Sequence, residues 1–343
     1  MNLATEPIDQ LSQEQEEIYF PLAEAALQQY SLGTGTLTFI QHNAGIVFRV
    51  TAETTGHQYL LKLHKRVGAG DDPSAAQLEP GLHWLAALSQ ASDVVVQVPI
   101  PTIQGQFVGQ IKVASDISSI NCTLQEWLDG SLLNRDFTLD EAQKLGKLMA
   151  KLHNFSRTYP LMDASAAMRH DRHALENDID LLRTTLDTTI LSHHDFDIIV
   201  TAKQRITEYM TQLGSNSDVW GPVHGDLHYE NLLIYNDEIR PIDFTGLRLA
   251  HYLFDIAVTL YHSFYQGVPL REAYLSGYQQ IGSLPSAYQQ YVEAFIAYAA
   301  IDNLAWNSTI PEQVKSALFQ LNLQNLVKAY CTPVAQGKPF LFS

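Results

Sequence analysis

Asp226, Asn231 and Asp243, in VHGDLHYENLL (223–233) and PIDFTG (241–246), are the side chains of this chain whose types and spacing best fit chemistry. An aspartate heading a turn can lie within hydrogen-bond reach of a hydroxyl and orient it in line with a phosphoryl group. A carboxamide and a second carboxylate supply hard oxygen ligands, and Mg²⁺ is usually bound through one or two carboxylates plus phosphate oxygens. Gly225, before the first aspartate, allows a tight turn and close approach of a phosphate. Taken singly, Asp226 and Asn231 are turn formers and Asp243 caps a strand. Together, between apolar runs, an Asp, four residues, an Asn, then a strand ending in Asp-Phe is the spacing of phosphoryl transfer from a metal-bound nucleotide. His224 and His228 read as buried rings bonded to backbone, with a substrate-facing role as the alternative for His228. The RHDRH run (169–173) reads as a solvated loop, and no His/Cys cluster has transition-metal spacing.

The elements that must position these groups change character along the chain. Residues 1–30 read as a polar helix interrupted at Pro21, with Leu22, Ala25, Ala26 and Tyr30 as its apolar stripe. Strands are expected over 37–41, 46–53 and 59–65, over VPIPTI and FVGQIKV around Gly105, and over 122–128. A helix over 74–90 carries Leu78, Leu82, Leu85 and Leu88 at helical spacing, with Pro80 and Gly81 weakening it. After Asp129-Gly130 helices dominate. Thr138 and Glu141 form a capping box opening a helix to about Phe155. Further helices are expected over 172–186, 195–213, 252–266, 270–281, 286–306 and 311–330. The one β interruption expected there is LLIYN and EIRPIDF, joined at Asn236-Asp237. The fold class is α+β: a β-rich lobe over 1–128 with an N-terminal helix, and a helical lobe over 129–343.

The signature VHGDLHYEN with IDF resembles that of the aminoglycoside phosphotransferase and choline kinase-like superfamily, whose fold is protein kinase-like. The run IDFTGLRLAHYLFDIA is similar to a bacterial branch that includes homoserine kinase-like and stress-response Ser/Thr kinase-like enzymes. The resemblance, over roughly 35–330, implies ATP and Mg²⁺ as cofactors and a hydroxyl acceptor. It makes Asp226 the catalytic base or hydroxyl-orienting residue and Asn231 and Asp243 the metal holders. Asp255 becomes a buried brace of the catalytic loop, which His224 also supports. Lys62, a charge in mid-strand that is costly unless paired, matches the strand lysine that contacts the α- and β-phosphates. Glu79 on the following helix is its expected partner, with Glu53 next. The turn His42-Asn43-Ala44-Gly45 would cover the nucleotide, and the connector Gln125-Glu126-Trp127-Leu128 would offer backbone groups to adenine.

Three departures separate the chain from phospho-regulated protein kinases. Asp-Phe-Thr replaces Asp-Phe-Gly, HGD replaces HRD, and no clear Ala-Pro-Glu segment follows. These favour a constitutive kinase acting on a small molecule. A stress-type protein Ser/Thr kinase and a non-catalytic nucleotide-binding protein stand as alternatives, the latter opposed by the complete Lys62/Asp226/Asn231/Asp243 set. The net charge of −16 disfavours nucleic acid and anionic membrane as partners and tilts the acceptor toward an amine-bearing alcohol, such as an amino-alcohol, amino acid or aminosugar. Two cysteines, no signal-like start and no long apolar run lead to a cytoplasmic expectation.

Overall fold

In a computed structural model of the chain, residues 10–42, 45–65, 72–112, 119–133, 136–159, 167–265 and 267–342 are described. The chain divides into two compact units, one made chiefly of Ala4–Asp129 and one of Gly130–Leu161 with Met168–Ser343. The first is a small antiparallel β unit and the second is mainly helical, as in kinase-like folds.

In the β unit, helix α1 (Gln13–Leu27) begins at a capping box between Ser12 and Gln15. Pro21 lies inside it and does not end it, contrary to the expected interruption. A proline removes one donor bond, while Ala23, Ala26 and Leu27 are buried in one apolar cluster with Phe48, Leu61, Leu63 and Leu124. Ala25, expected on the apolar stripe, is exposed. The sheet has five strands in the order β1 (Gly35–His42), β2 (Ile46–Ala52), β3 (Gln58–Leu63), β5 (Ser119–Glu126), β4 (Val108–Lys112), all antiparallel. Strand alternation sends Leu61 and Leu63 into the cluster and Lys62 to the opposite face. VPIPTI is not a strand. Pro99 and Pro101 cannot donate to a ladder, so the stretch makes only single bridges, Pro99 to Gln125 of β5 and Thr102 to Tyr30 beyond α1. Helix α2 (Ala75–Ala91) starts at a Ser74–Gln77 capping box and continues through Pro80, with its four periodic leucines buried.

The helical unit opens with β6 (Ser131–Leu132) and α3 (Leu139–Thr158), the latter capped by Thr138 and Glu141. Helices α4 (Arg172–Thr185) and α5 (His193–Leu213) follow. Two ribbons then replace the single expected hairpin. β8 (Leu232–Tyr235) and β9 (Glu238–Pro241) form the hairpin, with β6 added to β8, while β7 (Trp220–Val223) pairs with β10 (Arg248–His251). β7 and β10 are four residues each, and Gly221 and Pro222 leave WGPV with little strand character. Helix α6 (Tyr252–Thr259) runs into a π-helical turn over Leu260–Phe264. α7 (Val268–Gln279) and α8 (Tyr288–Ser308) follow. The helix expected over 311–330 is broken into α9 (Pro311–Val314), α10 (Ala317–Asn325) and a π-helical stretch over Leu326–Cys331 that leads into α11 (Thr332–Gln336).

Helices α3 and α7 cross at backbone contact. A Cβ on Gly146 would stand 1.9 Å from the Tyr274 carbonyl oxygen, and one on Gly277 would stand 2.0 Å from that of Gln143. Among the described residues no helix is long and apolar enough to cross a membrane.

Candidate active site

The hairpin sets the separation of two of the expected oxygen ligands. Its tip, Asn236-Asp237, has positive φ at both residues (49° and 67°), the geometry of a type I′ turn matched to strand twist. Its base is closed by Ile242 N–H donating to Asn231 O at 3.0 Å, so Asn231 and Asp243 stand on the two arms at one end. Asp243 sits at φ 60°, ψ 59°, a left-handed conformation that Asp tolerates better than most residues. Thr245 Oγ1 donates to its Oδ1. The second ribbon ties the turns together: β7 leads into His224-Gly225-Asp226 and β10 leaves the Asp243 turn, with Arg248 opposite Val223.

Asn231 Nδ2 donates to the backbone oxygen of Asp226 at 2.8 Å and to its Oδ2 at 3.1 Å. Both partners are acceptors, which fixes the amide orientation and turns Oδ1 away from Asp226. The Asp226 side chain is 49% exposed, and its Oδ1 lies 3.3 Å from Nε2 of buried His228. Partial burial pushes the Asp226 pKa up, but the His228 hydrogen bond and the neighbouring His228, His262 and His224 outweigh it and hold the carboxyl below its ordinary value. At His228 burial disfavours the cation, yet Asp226 and Glu230 raise its pKa overall. His262, 5.1 Å from His228 between ring centroids, is pushed down to about 3, first by burial and then by the charge of His228. The Asp226 carboxyl is thus held ionised. Among the described residues no three His, Cys, Asp or Glu side chains cluster as a metal cage. A carboxamide and a carboxylate, as at Asn231 and Asp243, are hard oxygen donors of the kind that Mg²⁺ takes.

Fully buried Asp255, on α6, meets the His224-Gly225-Asp226 turn directly. Its Oδ1 accepts from Gly225 N at 2.8 Å and its Oδ2 from His224 N at 3.1 Å. His153 Nε2 on α3 reaches the same Oδ2 at 3.2 Å, and Tyr278 Oη on α7 lies 3.0 Å from His153 Nδ1. His224 accepts Asp226 N–H on Nδ1 (3.3 Å), so its Nε2–H donates to Ile242 O at 3.0 Å, bonding one turn to the other. Burial lowers the pKa of both His153 and His224.

In the β unit, Lys62 is buried, and its stem passes against Gly45. A Cβ there would come 3.0 Å from Lys62 Cε and 2.9 Å from Leu63 O. Asn43 and Ala44 of the same turn lie outside the described residues. His64, just past β3, is buried with Nε2 3.0 Å from Thr123 Oγ1. The expected Lys62–Glu79 pair is not formed. Glu79 Oε1 accepts Val108 N–H at 2.8 Å and Oε2 faces His83, one turn along α2, at 3.4 Å. The free amide at the start of β4 captures the carboxylate first. Glu53, the reserve candidate, accepts from Thr34 Oγ1 at the far end of β2 from Lys62's rung partner Val47. At the connector, Glu126 N donates to Val98 O and Trp127 N to Gln58 O. Leu128 N–H makes no backbone–backbone hydrogen bond among the described residues.

Four further residues, His170, Arg248, Asp178 and Asp302, interact with one another or with the His224-Gly225-Asp226 turn, and sequence spacing does not reveal them. RHDRH is no solvated loop: His170 is 4% exposed, and Asp171 caps α4. Arg248 donates from Nε to Gly246 O at 2.7 Å, and its Nη1 contacts His170 Nε2. Asp178 and Asp302 both have raised pKa values. Burial is the main cause at each, the charge of Asp302 adds at Asp178, and that of Asp226 adds at Asp302. The only sequence signal was the RHDRH run around His170, five charged or histidine residues in succession, which reads equally as surface.

Residues 36–291 match the model of the Phosphotransferase enzyme family. The chain is 20% identical to the amicoumacin kinase of Bacillus subtilis (strain 168), over 89% of this chain and 91% of that protein. A solved amicoumacin kinase in complex with AMP-PNP, Ca²⁺ and Ami superposes with a TM-score of 0.75 at 19% identity, covering 96% of this chain and 97% of that one. A microcompartment-associated aminopropanol kinase gives 0.72 at 22% identity, covering 92% and 98%.

Proposed function

Since the chain belongs to the phosphotransferase enzyme family, we propose that it moves the γ-phosphate of Mg·ATP to a hydroxyl of a small amine-bearing molecule, such as an amino-alcohol, amino acid or aminosugar. The observation that carries this reading is the Asn231 amide, bonded to the backbone oxygen and Oδ2 of Asp226, with Asp243 on the opposite arm of the hairpin base. Asp226 would hold the acceptor hydroxyl in line and take its proton as the new O–P bond forms and ADP leaves. Asn231 and Asp243 would hold Mg²⁺, which neutralises phosphate charge when bound. In the β unit, Lys62 would neutralise the α- and β-phosphates, Gly45 would let the covering turn approach, and Glu126 O with Leu128 N–H would meet adenine. Glu79 would act by fixing α2 against β4. The amine preference rests on the net charge of −16 and on the names of the structural neighbours, which include an aminopropanol kinase and an ethanolamine kinase. The two cysteines, both buried thiols, fit the reducing cytoplasm we propose as its setting.

The test is ADP release with ³¹P NMR of product across aminopropanol, ethanolamine, homoserine and aminosugar acceptors. Asp226→Asn is expected to lower turnover by about 10³-fold with Mg·ATP affinity near native, whereas Asp243→Ala loses that affinity in calorimetry. Near-native turnover by Asp226→Asn, or no phosphorylated product from any acceptor, would end this reading.

A further inference from the structure

We infer that Arg248 is a positioning residue for this transfer, its one guanidinium fixing the catalytic turn, the metal turn and the start of α4 relative to one another. The inference rests on the phosphotransfer reading above. Arg248 opens β10 as the rung partner of Val223, the residue before His224. Its Nε–H donates to Gly246 O at 2.7 Å, holding the turn that carries Asp243. Its stem lies on Gly225, where φ is +76° and a Cβ would come 2.6 Å from Nε and 2.8 Å from Cδ. The glycine beside Asp226 thus fits Arg248 as well as the turn.

The third attachment has a defined proton order. Burial, and then the charge of Arg248 itself, push the His170 pKa well below its ordinary value, so the ring is neutral. Its Nε2 accepts from Arg248 Nη1, which leaves the proton on Nδ1, 3.3 Å from Tyr298 Oη. The Tyr298 hydroxyl donates onward to Asp171 O at 3.1 Å. The ring is also stacked on Phe254, with centroids 4.6 Å apart. A guanidinium with Nε committed to one side and Nη1 to the other is a rigid fork, and a lysine ammonium cannot span both partners. Asp178 and Asp302, whose carboxylates Arg248 also stabilises, stand around the same fork.

The test compares Arg248→Lys, Arg248→Ala and His170→Phe with the native enzyme, using the best acceptor from the panel. Arg248→Lys and Arg248→Ala are expected to lower kcat by about a hundredfold, the scale of an ångström's misplacement, with KM for Mg·ATP within about twofold. Added guanidinium ion should restore at least about a tenth of the lost rate to Arg248→Ala and nothing to Arg248→Lys. His170→Phe keeps the stack on Phe254 and the Gly246 bond, so its loss should be smaller than that of either Arg248 variant. Should Arg248→Ala fail to fold, the kcat-against-KM split in Arg248→Lys decides. Native kcat in Arg248→Lys overturns the inference, and so does a parallel loss of kcat, nucleotide affinity and melting temperature without guanidinium rescue. A native enzyme that phosphorylates no acceptor defeats the function reading and this inference together.

Discussion

Asp255 does with one carboxylate what several residues share elsewhere in the site. Two backbone N–H groups and one imidazole converge on it in a fully buried place, and no neutral side chain offers that acceptor capacity. Asp255→Asn must aim an NH₂ at one of these donors. It is expected to cost about 3 kcal/mol of stability through unsatisfied buried groups and to lower kcat by loosening the turn. Urea unfolding and steady-state kinetics check both, and native values for each would show that the turn holds itself. That Asp226, Asn231 and Asp243 lie together was legible in the sequence because their grouping is set by a turn and a hairpin, which are local. The role expected of Glu79 was misplaced because its partner is chosen in space, where the Val108 amide stood nearer than Lys62 was assumed to be. Arg248 and His170 belong to the same case, since neither announces itself by spacing.

Among elements, the α3–α7 crossing carries the site. It brings His153 to Asp255 and Tyr278 to His153. Gly146→Ala raises helix propensity yet puts a methyl 1.9 Å from a backbone oxygen, which no rotamer change relieves. We expect a net loss of about 2 kcal/mol or more from overpacking, with kcat falling as α3 moves off α7. Thermal unfolding together with turnover checks it, and a stabilised, fully active Gly146→Ala would show that the helices part without consequence. Elements with capping boxes or clean alternation, α1, α2, α3 and β1 to β3, were readable in outline from the sequence. Those that failed have reasons of their own. VPIPTI has strand composition but two residues without a donor. The span 311–330 has helical composition but is divided by Ser316, which caps α10, and by a π-helical stretch. The β7–β10 ribbon was missed because Gly221 and Pro222 leave WGPV with little strand character.

Across the whole molecule, buried histidines give the fold a pH dependence of definite sign. His42, His153, His170, His224, His251 and His262 all have lowered pKa values, with burial the first cause at each. The unfolded chain takes up their protons near pH 6.5 while the folded chain refuses them. Their contribution is therefore complete above that pH and is lost as pH falls. His228, Asp178 and Asp302, whose pKa values are raised, act in the opposite sense. Six groups against three predict a melting temperature that drops between pH 7.5 and 5.5. Calorimetry in buffers of constant ionic strength measures it, and a flat or rising profile over that range would contradict it.

The hairpin has a consequence of a different kind. With Asn231 and Asp243 at its base and the Asn236-Asp237 tip four rungs away, it works as a caliper whose jaws are set at the closed end and whose handle, tied to α3 by the exposed Asp237–Lys144 pair, lies away from them. Lengthening both arms by the same even number of residues moves only the handle. An odd change in one arm turns a jaw to the other face of the sheet. Insertions that respect this parity leave the gap between the jaws alone, which makes the tip the place where this fold can change length, or carry a reporter, without its chemistry noticing.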